Sequence, residues 1–127
     1  GTDLMEALVK EAAEKGWING YPDGSFRPQH TLSREEMITI AVQAVNRGDL
    51  SQDKADEALS SFTGETRISN WARLYVAAAE QMSILEHGHM VLNSDRGLSF
   101  DGQRQASRAE AAVIVYRLLN VMKEAEG

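Results

Sequence analysis

The chain has 127 residues, with 43% apolar and 25% charged positions, which suits one compact folded domain rather than a disordered or fibrous chain. Thirteen Lys and Arg against 19 Asp and Glu give a formal charge of -6, which disfavours nucleic acid, since neutralising phosphates needs a basic patch. The absence of cysteine excludes disulfides and thiolate metal sites, and no apolar run reaches the roughly 18 residues that cross a bilayer, so no membrane insertion is expected.

The N-terminal stretch Gly-Thr-Asp-Leu-Met-Glu-Ala-Leu has neither a basic start nor a hydrophobic segment with a cleavage site, so it shows no targeting signal. A first helix follows. Met5, Leu8, Val9, Ala12 and Ala13 recur at helical spacing and form one apolar stripe, and Gly16 stands where a helix C′ cap belongs. After a loop holding Pro28, Ser33-Arg34-Glu35-Glu36 fits the capping box Ser-x-x-Glu and opens a second helix with Met37, Ile40, Ala41, Ala44 and Val45 on one face. The stretch from Asn46 to Asn70 is polar. Within it Ser51 to Phe62 predicts a short connecting helix capped by Ser51 and anchored by Ala55, Leu59 and Phe62.

The pattern then repeats. Trp71, Leu74, Tyr75, Ala78, Ala79 and Met82 copy the first stripe, and Ser107-Arg108-Ala109-Glu110 copies the capping box ahead of Ala111, Ile114, Val115, Leu118 and Met122. Phe26 to Asn46 lies over Phe100 to Asn120 at an offset of 74, and Leu4 to Ile18 over Trp71 to Leu85 at an offset of 67. The difference of 7 is a longer loop in the second copy. The reading is a single domain, 1–127, of all-α class: tandem helix-loop-helix units over 1–50 and 71–127, a connecting segment over 51–70, one shared helical core and no strand. Phe26 and Phe100 are expected to plug that core beneath their loops.

Catalysis finds little support. There is no Ser-His-Asp set at recognisable spacing and no phosphate loop, and Glu86, His87 and His89 are too few to predict a metal site, so no enzyme, cofactor or metal is expected. A ligand of negative charge has to be met by a few locally placed arginines and helix N-termini working against the net charge of the chain.

The first loop, Gly20-Tyr21-Pro22-Asp23-Gly24 followed by Phe26 and Pro28, together with Ser33-Arg34-Glu35-Glu36, resembles the S-layer homology family, whose units look like a helix, a Gly-Tyr-Pro-Asp-Gly-x-Phe-x-Pro loop and Thr-Arg-Ala-Glu at the start of a second helix. The second unit keeps Trp71-Ala72, Phe100 and Ser107-Arg108-Ala109-Glu110. Its loop lacks Gly-Tyr-Pro, with Asp95 and Gly97 as stand-ins for the Asp-Gly pair. The family usually works with three units and this chain shows two, so a third repeat or self-association is a further expectation.

The resemblance implies an extracellular anchor at the cell wall or cell surface that binds an anionic secondary cell-wall polysaccharide, often carrying pyruvylated amino sugars, in grooves between units. Carried over by position, it nominates Arg34 and Arg108 as ligand-binding, Gly20, Tyr21, Asp23 and Gly24 as shaping the first loop, and Trp71 as a sugar-facing aromatic. The residues themselves also fit plainer roles. Arg34 and Arg108 could be solvated or paired with nearby carboxylates, Ser33, Glu36, Ser107 and Glu110 are caps, Gly20 and Gly24 serve turn geometry, and Trp71 heads an apolar stripe that suits burial as well as sugar contact. A protein–protein or self-assembly module of a surface layer is the alternative function.

Overall fold

The computed structural model describes residues 32–45 and 50–126. The first predicted helix, with its C′ glycine Gly16, and the loop carrying Gly20, Tyr21, Asp23, Gly24, Phe26 and Pro28 lie outside the described residues. Four α-helices are seen within them: α1 (Arg34–Ala44), α2 (Gln52–Ala58), α3 (Arg73–Gln81) and α4 (Arg108–Glu126). A 3-10 turn, Asn70–Ala72, leads into α3.

The capping box starts α1. Ser33 Oγ accepts from the Glu36 N–H at 3.2 Å and Glu36 Oε1 accepts from the Ser33 N–H at 2.8 Å. The run Ile38-Thr39-Ile40 is a modest helix former by propensity, and burial overrides that: Met37, Ile38, Ile40, Ala41 and Val42 are all sealed from solvent. Thr39 Oγ1 turns back to donate to the Glu35 carbonyl at 2.8 Å. An apolar surface this wide needs neighbours on several sides. α3 and α4 both pack on α1, and α2 packs on α3. The first helix of the second unit thus rests on the second helix of the first.

The connecting helix exists but is shorter than expected, ending at Ala58. Ser51 caps it by accepting from the Lys54 N–H at 3.2 Å, with Ala55 and Leu59 buried. In α3 the buried residues are Val76–Ala79, with Ala72 buried in the turn before it, while Trp71 at the head of the expected stripe is 55% exposed. A helix held between α1 and α2 is covered on two sides, and a single narrow stripe does not describe it. α4 buries Ala111, Ile114 and Leu118 as expected, with Met122 left 43% exposed.

The expectation of an all-α chain needs correction: a three-stranded sheet is present. β1 (Thr66–Arg67) pairs in parallel with β3 (Gly97–Asp101), which pairs antiparallel with β2 (Val91–Ser94), in the order β1-β3-β2. The longer second loop is therefore a hairpin rather than an irregular insertion. Asp95 and Arg96 make its two-residue turn, steadied by Ser94 Oγ donating to the Gly97 carbonyl at 2.7 Å, and Gly97 leaves the turn at φ +109°, a conformation open to glycine. Val91 and Phe100 are cross-strand partners, and both side chains are buried in the helical core, so Phe100 does plug it. The polar connector adds the third strand, Thr66 Oγ1 accepting from the Phe100 N–H at 3.2 Å.

Candidate functional site

The two Ser-Arg-x-Glu motifs lie side by side. The chain before α1 runs next to the chain before α4, with the Ala106 N–H donating to the Leu32 carbonyl, the Arg34 N–H to the Arg104 carbonyl and the Glu35 N–H to the Gly102 carbonyl, each at 2.8 Å. The second capping box is complete as well: the Ser107 N–H reaches Glu110 Oε1 at 3.1 Å, and the Glu110 N–H reaches Ser107 Oγ at 3.1 Å. With the Glu36 N–H on Ser33 Oγ and the Met37 N–H on the Ser33 carbonyl, all four N–H groups of the first turn of α1 have partners inside the chain. The start of α1 therefore offers no open nest of N–H donors to an anion.

Arg34 and Glu110 meet across this junction. Arg34 Nε donates to Glu110 Oε1 at 3.1 Å and Nη2 to Oε2 at 2.5 Å, with Arg34 and Glu110 only 5% and 4% exposed. His89 Nε2 sits 3.0 Å from the same Oε2 from a largely exposed ring. Burial pushes the Glu110 carboxyl up, and the hydrogen bonds from Arg34 and the Ser107 N–H, with the charges of Arg34 and His89, more than offset it, so it is held below the usual carboxylate range.

Beside this pair opens a cleft of about 480 Å³ lined by Arg34, Glu65, Arg67, His89, Met90, Leu92, Ser99, Phe100, Asp101 and Arg104. α1, the connector and the β2-β3 hairpin all contribute to it. Arg67 and Asp101 form a two-point pair on its rim, Nε to Oδ1 at 3.0 Å and Nη2 to Oδ2 at 2.8 Å. The Arg67 hydrogen bond holds the Asp101 carboxyl down against the opposing effect of burial, and raises Arg67 in turn. Arg104 has no ion-pair partner among the described residues. An aliphatic wall at Leu92 and Met90 beside guanidinium, carboxylate and hydroxyl groups suits a polar ring compound bearing charge.

Of the residues nominated from sequence, Arg34 lines this cleft, and Arg108 and Trp71 do not. Arg108 and Trp71 are exposed, and the nominated residues of the first loop lie outside the described residues. Arg34 is paired with a carboxylate, one of the plainer roles its type allows. That partner, Glu110, was read only as a cap. Sequence reasoning missed Glu65, Arg67, Asp101 and Arg104, which come together only through the sheet. Asp101-Gly102 directly after Phe100 was the available signal, an Asp-Gly pair set against the end of the motif rather than its start. His87 and His89 go to different carboxylates, His87 Nε2 reaching Glu80 Oε1 at 2.8 Å, and no group of three or more metal-ligating side chains forms among the described residues.

Residues 9–38 match the S-layer homology domain, a segment that ends within α1. Several curated proteins are similar to the chain, among them the following three. An amylopullulanase of Thermoanaerobacterium thermosulfurigenes is 36% identical over 119 residues, 92% of this chain and 6% of that protein. A surface layer protein of Brevibacillus choshinensis is 28% identical over 123 residues, 97% of this chain and 10% of that protein. A cellulosome-anchoring protein of Acetivibrio thermocellus is 33% identical over 67 residues, 53% of this chain and 14% of that protein. The chain thus spans a small part of the length of the relatives it matches. No solved structure matches it.

Proposed function

The chain carries an S-layer homology domain, and from that premise we propose that it is a non-catalytic anchoring module that holds a larger protein to the cell wall by binding an anionic wall polysaccharide. The observation that carries this reading is that one short stretch recurs in an amylopullulanase, a surface layer protein and a cellulosome-anchoring protein. Proteins with such different names share a segment that is 6 to 14% of their length, which points to a portable module rather than to the activity of any one of them. Its place is the cell surface. Among the described residues no helix is long and apolar enough to cross a membrane, which fits attachment through the wall polymer.

The cleft over Arg34 is the binding site in this reading. Its guanidinium and carboxylate groups can bond to a saccharide bearing a carboxylate, such as a pyruvylated amino sugar, with Leu92 against the ring face. Arg108 and Trp71 are proposed as further contacts outside it, and the first-loop residues Gly20, Tyr21, Asp23 and Gly24 as further ligand-binding residues. Purified bacterial wall sacculi should retain the chain, and sacculi stripped of their secondary polysaccharide should not. Equal retention by both preparations removes the polysaccharide as ligand.

A second reading, a protein–protein module, draws on α4. By the 74-residue offset, Tyr116 corresponds to Val42 and Leu119 to Val45. Val42 is sealed within α1, which carries α3, while Tyr116 and Leu119 are 68% and 56% exposed. A further copy of the unit would cover them in the same way. Sedimentation showing only monomer at millimolar concentration counts against pairing between chains.

A further inference from the structure

The cleft holds more charged groups than it holds free charge. Arg34 is matched by Glu110 and Arg67 by Asp101, each through two hydrogen bonds. Glu65, His89 and Arg104 remain on the lining, His89 turned toward Glu110. Arg34 spends Nε and Nη2 on one buried carboxylate and is itself only 5% exposed, so burial keeps the rest of its guanidinium from the cleft, while its main-chain N–H donates to the Arg104 carbonyl. Arg104 sits at the other end of that last bond. Its carbonyl holds α1 while its exposed side chain lines the cleft.

Resting on the reading of the cleft as a glycan site, we propose that Glu110 sets the charge of that site: it withdraws Arg34 from ligand contact and leaves Arg104 to meet the anionic substituent. Arg34 and Glu110 are then positioning residues. Their pair joins the starts of α1 and α4, and the Arg34 N–H holds the Arg104 carbonyl beside it. Glu110→Gln keeps a capping box, since Gln serves at that position, but removes the charge that holds Arg34. The freed guanidinium adds one positive charge to the cleft.

The test uses the whole chain and glucuronate, a sugar acid with one carboxylate, titrated by NMR, with retention on wall sacculi beside it. Arg104→Gln should weaken glucuronate binding about fivefold and Glu110→Gln should strengthen it about fivefold, the effect of one unit charge a few ångströms away in water. Arg34→Met with Glu110→Gln removes both charges together and should lose the gain that Glu110→Gln shows alone. That double variant also serves if Glu110→Gln alone does not fold. Loss of glucuronate binding in a double variant that melts normally makes Arg34 a ligand contact and overturns the proposal, as does unchanged binding by Arg104→Gln. If the unaltered chain is held by sacculi while glucuronate leaves the cleft resonances unmoved, the anchoring reading stands and this assignment of the cleft falls. If neither ligand binds, both fall.

Discussion

Arg34 and Glu110, 76 positions apart, form a buried two-point ion pair between the first residue of α1 and the first turn of α4. The arginine of one Ser-Arg-x-Glu motif is therefore paired with the glutamate of the other, while each motif still closes its own capping box. Removing one partner strands a charge that burial keeps from water. Arg34→Ala should lower unfolding free energy by about 3–5 kcal/mol, whereas Arg34→Met with Glu110→Gln, which leaves no unpaired charge, should cost much less. Urea denaturation of the three chains checks it, with near-equal midpoints for both variants as the contrary result.

Acid should act on the same pair. The folded state holds the Glu110 carboxyl below its ordinary value of about 4.3, so its contribution to stability is fully present above that pH and is lost as pH falls through the lower folded-state value. Asp101, held down chiefly by Arg67, and Glu86, held down chiefly by the Met90 N–H, shift the same way and lose their contributions in the same acid range. Melting temperature should be flat from pH 7 to about 5 and then fall. Glu110→Gln should start lower and fall less steeply. Parallel acid limbs in the two proteins would assign the loss to the other carboxylates.

Ser83 offers a gain. It ends α3 at φ +61°, with its N–H on the Glu80 carbonyl at 3.1 Å and the Ile84 N–H on the Ala79 carbonyl at 2.9 Å, the two bonds of a Schellman cap. A serine in that left-handed conformation is strained where glycine is not. By the 67-residue offset Ser83 corresponds in sequence to Gly16. Ser83→Gly should raise stability by about 0.5–1 kcal/mol, read as a higher thermal midpoint with an unchanged far-UV spectrum.

What the sequence disclosed tracks how local the determining physics is. The capping boxes at Ser33 and Ser107 and the cap at Ser51 lie within four residues of what they bond, and all three were legible. The stripe of α4 was legible through Leu118, because Ala111, Ile114 and Leu118 are buried at the helical spacing that the sequence shows. The stripe of α3 was not, because α1 and α2 cover different sides of it and Val76 and Ala77 are buried off the expected face. The sheet was missed because β1 is two residues long and pairs with a strand 34 positions away, leaving no periodicity to read. The cleft inherits that gap: Arg67 and Asp101 face each other only through the β1-β3 pairing.

Gly97 ties the hairpin to the connector. Its φ of +109° is closed to most side chains, and a Cβ there would run into Thr63 Oγ1 and come within 3.0 Å of the Ser61 carbonyl, with Thr63 itself bonded to the Arg96 carbonyl. Gly97→Ala must therefore both strain the turn and push the connector off the sheet, and should destabilise by well over 1 kcal/mol. Because β3 also carries Ser99, Phe100 and Asp101 into the cleft, the damage should not stop at stability. Amide exchange should quicken first at Leu98 and Gly64, whose N–H groups donate to the Ser61 and Leu98 carbonyls, while Met37 to Val42 in α1 stay protected. Wall retention should drop at a temperature where the helices are still folded. Uniformly faster exchange across α1 and the hairpin would mean that sheet and helices unfold as one unit, and the cleft could then not be weakened separately from the core.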